Sequence, residues 1–425
     1  MQSLLTHALR RMNRRYMSFE TAPVTNALPE PTAGRVYLLY LHIPFCEVLC
    51  PFCPFHRVEY QPARTRHYYS VLRKEIQRAT DHGYRFGELY VGGGTPTVLP
   101  EELAETIELV RRDHPISRVS VETNPDDLGD SRLSMLRDAG VNRLSVGVQS
   151  LDDDILRSMQ RYEKFGSSRL ICERLDAVRG QFDTINVDMI FNLPSQSDES
   201  LARDMHTLTD ELGADQVSWY PLMTAHATRK SMEKHIGDVD FSREGELYHR
   251  IAGHMLDVGY VRSSAWCFSR SDSMMIDEYI TEEEEYLGLG SGAFSYMGGT
   301  MYASTFSINH YLKLADRGGT GIVRSRDMSE RDQMRYYLLM FMFGGSLDLD
   351  AAEQRFGGRF RRVLFPELTG LRLLGAVRRR GSKLELTERG YYLWVVMMRE
   401  FFIGVNIFRD EMRHLIRHET VLVNG

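Results

Sequence analysis

The chain has 425 residues, 43% hydrophobic and 26% charged, enough to bury a sizeable core and to form two domains with a smaller appendage. A formal net charge of -6 offers no basis for a nucleic-acid footprint or a general attraction to anionic membranes, so any such contact needs a local basic patch. The five cysteines, with Cys46, Cys50 and Cys53 clustered, exclude the even, dispersed framework of a secreted disulfide protein and point to a reducing cytoplasm.

The N-terminal stretch carries Arg10, Arg11, Arg14 and Arg15 and no acid, and lacks a secretory apolar core. It reads as a basic helix packed on the body, with an organellar transit peptide as the alternative. Pro23, Pro29, Pro31 and Gly34 then mark a linker, so residues 1–34 form an arm.

From there short β-rich runs alternate with segments of helical period, the pattern of βα units and a parallel sheet. Strands are expected at Val36–Ile43, Glu88–Val91, Arg118–Glu122, Arg143–Val148, Thr184–Ile190 and Gln216–Tyr220. Leu103, Ile107 and Val110 share one helical face, and Leu133, Leu136 and Ala139 before Gly140 give a helix with a glycine stop. Six such units over residues 35–240 predict an α/β fold, a partial (β/α)6 TIM-like barrel.

In parallel α/β folds ligands bind beyond the carboxyl ends of the strands. Each expected strand ends in polar residues or glycines: the cysteine loop, Gly92-Gly93-Gly94-Thr95-Pro96-Thr97, Glu122-Thr123-Asn124-Pro125, Gln149, Asp188 and Tyr220-Pro221. These should converge on one mouth.

Beyond residue 240 a helix over Arg243–Val258, the segment Tyr260–Trp266, an acidic run Glu282–Glu285 and the glycine-rich Leu287–Gly292 read as a cap or extension of the barrel through residue 325. Residues 326–425 follow as helix, turn, helix, then Ala376–Arg380 and Lys383–Leu386 around Gly381, then a last helix, which suggests a small winged-helix-like domain. The basic Arg378-Arg379-Arg380 reads as a solvated turn rather than a nucleic-acid contact. The apolar run Tyr391–Met398, followed by Arg399 and Glu400, is too short to span a bilayer and reads as a buried helix.

The spacing C-x3-C-x2-C over Cys46, Cys50 and Cys53 arises by chance in about one such chain in a thousand. It places three thiolates on one metal centre, one ligand short of a closed site. Zinc would need a fourth protein ligand, for which His56 is a candidate; an iron–sulfur cluster with three thiolates leaves one iron open to a ligand.

Tyr40–Cys53, followed by Gly92–Pro96, Glu122, Arg143–Ser150 and Asp188, resembles the radical S-adenosylmethionine (SAM) family over roughly residues 36 to 300. Within it the chain is similar to the oxygen-independent coproporphyrinogen III oxidase branch, which also includes a heme chaperone and certain methyltransferases. The resemblance implies that Cys46, Cys50 and Cys53 hold a 4Fe-4S cluster whose fourth iron is chelated by SAM. Reductive cleavage of SAM would then yield methionine and a 5'-deoxyadenosyl radical.

Gly92, Gly93, Gly94 and Thr95 would receive the methionine amino end, Glu122 its ammonium, and Arg161 its carboxylate. Gln149 and Asp188 would bond the ribose, while Phe52, Ile190 and Tyr220 border the adenine. Tyr40 would lie near the sulfonium, and is the candidate catalytic residue; His42 reads equally as a site group or a satisfied core histidine. Cys172 reads as packing, and Cys267 as packing with a thiol role as the alternative.

The oxidases carry a fourth cysteine after one residue, whereas Pro54-Phe55 follow Cys53 here. The chaperones carry His-Asn and Tyr-Trp before the Gly-Leu-Gly segment, which Ser269–Tyr286 lacks. The expectation is a cytoplasmic radical SAM enzyme acting on a small molecule, a tetrapyrrole, with one or two SAM molecules and a low-potential donor such as flavodoxin or ferredoxin. A second-SAM methyltransferase and a heme-binding chaperone are the alternatives.

Overall fold

The computed structural model describes residues 18–21, 27–224, 226–271 and 284–423. The expected basic N-terminal helix, Glu282 and Glu283, and most of Ser269–Tyr286 therefore lie outside the described residues.

Six parallel strands form the centre: β1 (Tyr37–Ile43), β2 (Phe86–Gly93), β3 (Arg118–Thr123), β4 (Arg143–Gln149), β5 (Thr184–Phe191) and β6 (Gln216–Pro221). Their sequences are nearly continuous apolar runs such as Tyr-Leu-Leu-Tyr-Leu-His-Ile because helices cover one face and the barrel interior the other. The expected Leu103, Ile107 and Val110 are buried on one helix, Pro100–Asp113. Gly140 follows helix Asp130–Asp138 with φ +96°, the left-handed residue that ends it.

The segment after the barrel lengthens this sheet at both edges. Beyond β6 lie β7 (Val261–Arg262) and β8 (Cys267–Ser269), with β8 antiparallel to β6. Beyond β1 come β9 (Tyr286–Leu289), parallel to it, then β10 (Phe294–Met297), β11 (Thr300–Ser304) and β12 (Ile322–Asp327) as an antiparallel meander. The two-residue strand Glu20–Thr21 closes that edge, giving a 13-stranded open sheet. The arm read as a linker is thus partly docked: Leu28 is buried, and Tyr84 donates its hydroxyl to the Pro29 carbonyl at 2.6 Å.

Two buried charges tie the extensions to the barrel. Glu75, on helix α1 (Pro62–Asp81), accepts from Gly321 N at 2.9 Å, Gly290 N at 3.2 Å and the Tyr311 hydroxyl at 2.7 Å. Burial raises its pKa from the usual carboxylate range while these three donors work against that shift. The glycine-rich segment is pinned to α1 in this way.

At the other end, helix α2 (Glu244–Asp257) meets helix α3 (Glu388–Val423). Arg399 donates to both carboxylate oxygens of Glu244 and, at 3.0 Å, to Glu400 Oε1; all three side chains are buried. The sequence pattern ends the apolar run at these charges, but the helix runs on, because the charges satisfy one another inside the protein. By length and composition Glu388–His414 could cross a membrane, although 61% of its most apolar window is buried within the chain. A second sheet, Ser346–Asp348, Lys383–Leu386 and Val377–Arg380, packs with the C-terminal helices in a winged-helix-like order.

Arg399→Ala removes the guanidinium that buried Glu244 and Glu400 share. Urea unfolding followed by far-UV circular dichroism should show a loss of about 3–5 kcal/mol; a loss below about 1 kcal/mol would mean that water reaches the pair.

Candidate active site

After β1 the chain turns into the loop bearing Cys46, Cys50 and Cys53, anchored by the short parallel pair Phe45–Cys46 and Val58–Glu59. Arg57 Nη2 donates to the carbonyls of Cys50 and Cys53, the latter at 3.0 Å, which fixes the loop's curvature. Two sulfurs receive donors from other elements: Thr95 Oγ1, after the second strand, stands 3.6 Å from Cys46 Sγ, and Arg161 Nη1, at the start of helix Tyr162–Phe165, stands 3.6 Å from Cys50 Sγ. All three cysteines line one cavity of about 390 Å³, a volume suited to small molecules.

This donor set fits a multi-iron cluster. Among the described residues no three His, Cys, Asp or Glu side chains are gathered tightly enough to share one ion. His56, the candidate fourth zinc ligand, is committed elsewhere: Nδ1 accepts from Arg413 at 2.7 Å, and Nε2 donates to Ser291 Oγ at 3.1 Å, whose own proton goes to the Thr305 carbonyl. Burial pushes the Cys46 thiol up to about 12, helped by Cys53 and opposed by the Thr95 hydrogen bond. Such a thiol needs a bound metal to become a thiolate.

The glycine tract divides its labour. Gly92 is buried and does not border the cavity, contrary to the expectation of a direct contact; a Cβ there would lie 2.5 Å from Glu122 Oε1, so its bareness makes room for that carboxylate. Gly93, at φ +120°, donates its N–H to Glu122 Oε2 at 2.9 Å. Gly94 N donates to the Ile43 carbonyl at 2.8 Å, and a Cβ on Gly94 would strike the Phe45 backbone at 2.7 Å. The tract therefore presses the second strand end against the cysteine loop. Glu122 also accepts from the Tyr90 hydroxyl at 3.1 Å.

Gln149 has φ +78°, costly for a residue with a side chain, and sits where the β4–β5 register slips between Gly147 and Gln149. That bulge aims it into the cavity. Asp188 is held by Ser145 Oγ, at 3.1 and 3.0 Å to its two oxygens, and by Asn186 Nδ2 at 2.7 Å. Arg161 is buried, donates to the Gly147 carbonyl and to Asn124 Oδ1 at 3.3 Å, stacks 4.1 Å from the Phe165 ring centroid, and keeps its Nε without a partner. Phe52 and Ile190 share an apolar cluster with Leu193 and Leu222, and Tyr220 leans on Trp266 at 5.3 Å.

Tyr40 and His42 form a relay. The His56 carbonyl can only accept, so His42 Nε2 carries the proton (3.0 Å) and Nδ1 accepts from the Tyr40 hydroxyl at 2.8 Å. Burial lowers His42 to about 4, against the His56 hydrogen bond, while burial and Glu122 hold the Tyr40 phenol well above its usual value. The imidazole is therefore neutral and the phenol protonated at pH 7. Cys267, buried on β8 opposite Ser218, and Cys172, its thiol raised to about 11 by burial, do not line the cavity.

The strand-end rule missed the opposite wall. Phe401, Phe402, Val405 and Arg409 of α3, with Tyr286, Phe294, Met301 and Tyr336, close the cavity with an apolar, largely aromatic surface. The available signal was the apolar stretch Phe401–Phe408 leading into Arg409 on one long helix.

The family model for the radical SAM superfamily matches residues 40–208. The heme chaperone HemW of Bacillus subtilis (strain 168) is 30% identical over 372 residues, covering 83% of this chain and 96% of that protein. An oxygen-independent coproporphyrinogen III oxidase of Pseudomonas aeruginosa is 27% identical over 85% of this chain and 84% of its own. The solved coproporphyrinogen III oxidase (HemN) of Escherichia coli superposes with TM-score 0.73 at 24% identity, covering 86% of this chain and 90% of that one, and so shares the fold.

Because His42 titrates near 4 when folded and near 6.5 when unfolded, its contribution is complete above pH 6.5 and is lost as the pH falls towards 4. For metal-free protein this amounts to about 3 kcal/mol. Urea midpoints measured across that window should fall for the wild type and flatten in His42→Asn; identical slopes would show that His42 titrates normally.

Proposed function

The chain belongs to the radical SAM superfamily, whose members use a 4Fe-4S cluster and SAM, and from that membership we propose that it is a SAM-cleaving enzyme acting on a tetrapyrrole, in the manner of the coproporphyrinogen oxidases. The observation that carries this reading is one cavity with two unlike halves. Strand-end polar groups and the cysteine loop supply one part of its lining, and apolar, largely aromatic side chains supply the other.

In this reading Cys46, Cys50 and Cys53 hold the cluster, with Thr95 and Arg161 donating to the sulfurs of Cys46 and Cys50. The cluster and SAM, when bound, supply the 5'-deoxyadenosyl radical common to the superfamily. Glu122 receives the ammonium of SAM, set in place by Gly93 N–H and by the space that Gly92 leaves. Arg161, with its Nε unpartnered, receives the carboxylate. Gln149 and the rigidly held Asp188 take the ribose, and Phe52, Ile190 and Tyr220 enclose the adenine and exclude water. Tyr40 keeps its proton and donates it in a hydrogen bond to His42 Nδ1, leaving its ring face as a neutral, electron-rich surface for a sulfonium. A flavodoxin or ferredoxin would deliver the electron.

The heme-carrier reading rests on a different observation, the 30% identity to a protein named heme chaperone over 96% of its length. Anaerobic reconstitution with iron and sulfide, then dithionite, SAM and coproporphyrinogen III, separates the two. We expect 5'-deoxyadenosine, none in Cys50→Ala, and loss of carboxyl carbon from the tetrapyrrole by mass spectrometry. Gain of a methyl group would reassign the reaction to transfer, and stoichiometric heme uptake without turnover would establish the carrier. A brown, iron-loaded protein that releases no 5'-deoxyadenosine overturns the enzymatic reading.

A further inference from the structure

Arg409 is out of place by the usual economy of charge. It lies on the face of α3 that closes the cavity, is only 5% exposed, and belongs to neither the cysteine loop nor the strand ends. A buried guanidinium normally meets a carboxylate, since an isolated charge in an apolar setting is costly. No carboxylate pairs with Arg409 among the described residues. Its Nη1 donates to the Pro54 carbonyl and, at 2.8 Å, to Asn406 Oδ1, both neutral acceptors, and its Nε has no partner. Asn406 Nδ2, equally buried, has none either. The aromatic rings of Phe55 and Phe306 lie 5.9 and 6.0 Å from the guanidinium carbon, too remote to replace a counter-ion.

Arg409 thus brings a donor without an acceptor to the stretch of cavity wall that Phe401, Phe402 and Val405 make apolar. An anion that arrives with the ligand completes the set, and a planar carboxylate matches the fork of a guanidinium through two parallel hydrogen bonds. On the proposed function, and resting on it, we infer that Arg409 is the specificity residue that anchors a carboxylate side chain of the tetrapyrrole against α3. Asn406 holds the guanidinium in orientation through its Oδ1. Pro54, next to Phe55 where an oxidase is expected to carry its extra cysteine, supplies the carbonyl that fixes the other edge of the fork.

The inference is tested with iron-loaded holoprotein, titrated anaerobically with hemin and with hemin dimethyl ester and followed by the Soret band. The wild type should bind hemin at least tenfold more tightly than the ester. Arg409→Gln should lose about tenfold for hemin and nothing for the ester, so that the preference disappears, and Arg409→Lys, which keeps charge without the fork, should fall between. Equal weakening of both ligands in Arg409→Gln would show that Arg409 only holds the Pro54 loop, and overturns the inference. A wild type that does not distinguish the two ligands overturns it as well, while leaving the tetrapyrrole reading standing. Binding of neither ligand removes that reading and the inference with it. Should Arg409→Gln fail to retain iron, the Arg409→Lys comparison decides: an undiminished preference for hemin then overturns the proposal.

Discussion

The site depends on positive charge held in a place that water barely reaches. Arg57 curves the cysteine loop through its carbonyls, Arg161 reaches Cys50 from the start of helix Tyr162–Phe165, and Arg409 reaches in from the last helix to Pro54. Each guanidinium is fastened mainly to backbone carbonyls and side-chain amides rather than to acids. A carbonyl anchors an arginine without neutralising it, so each guanidinium brings its full charge to the loop. Positive charge beside a cysteine favours the thiolate over the thiol.

Around that charge the fold distributes rigidity. The glycine tract presses two strand ends together, the bulge before Gln149 re-aims one side chain, and Ser145 and Asn186 hold the Asp188 carboxylate by hydrogen bonds. These devices spend backbone strain and burial where position matters most. The buried Arg399–Glu244–Glu400 group does the corresponding work for the helix that closes the far wall. Barrel and C-terminal helix therefore build one cavity although they are separated by more than a hundred residues of sequence.

The six barrel strands and the clustering of polar residues at their ends were legible in the sequence, because period and composition are local and the parallel βα pattern constrains where ends can lie. Gly92 shows the limit of that reasoning. Its position in a tract after a strand suggested contact with a ligand, yet its missing side chain serves Glu122 from the neighbouring strand. The role was set by register, which a single strand does not encode. Tyr286, Phe294 and Phe402 were invisible to strand-end logic because they enter the cavity from sheet extensions and a distant helix.

What the sequence determined by itself is the chemistry of the loop: three cysteines at fixed offsets can reach one centre whatever surrounds them, since the spacing is short enough for a single turn of chain. What the tertiary structure alone decided is which partners complete that centre. His56, three residues beyond the last cysteine, turns away to Ser291 and Arg413, while Thr95, Arg161 and Arg409 arrive from three other elements. The reason is physical: a hydrogen bond needs a donor at about 3 Å in the right direction, and only packing of the strand ends against the C-terminal helix sets that distance.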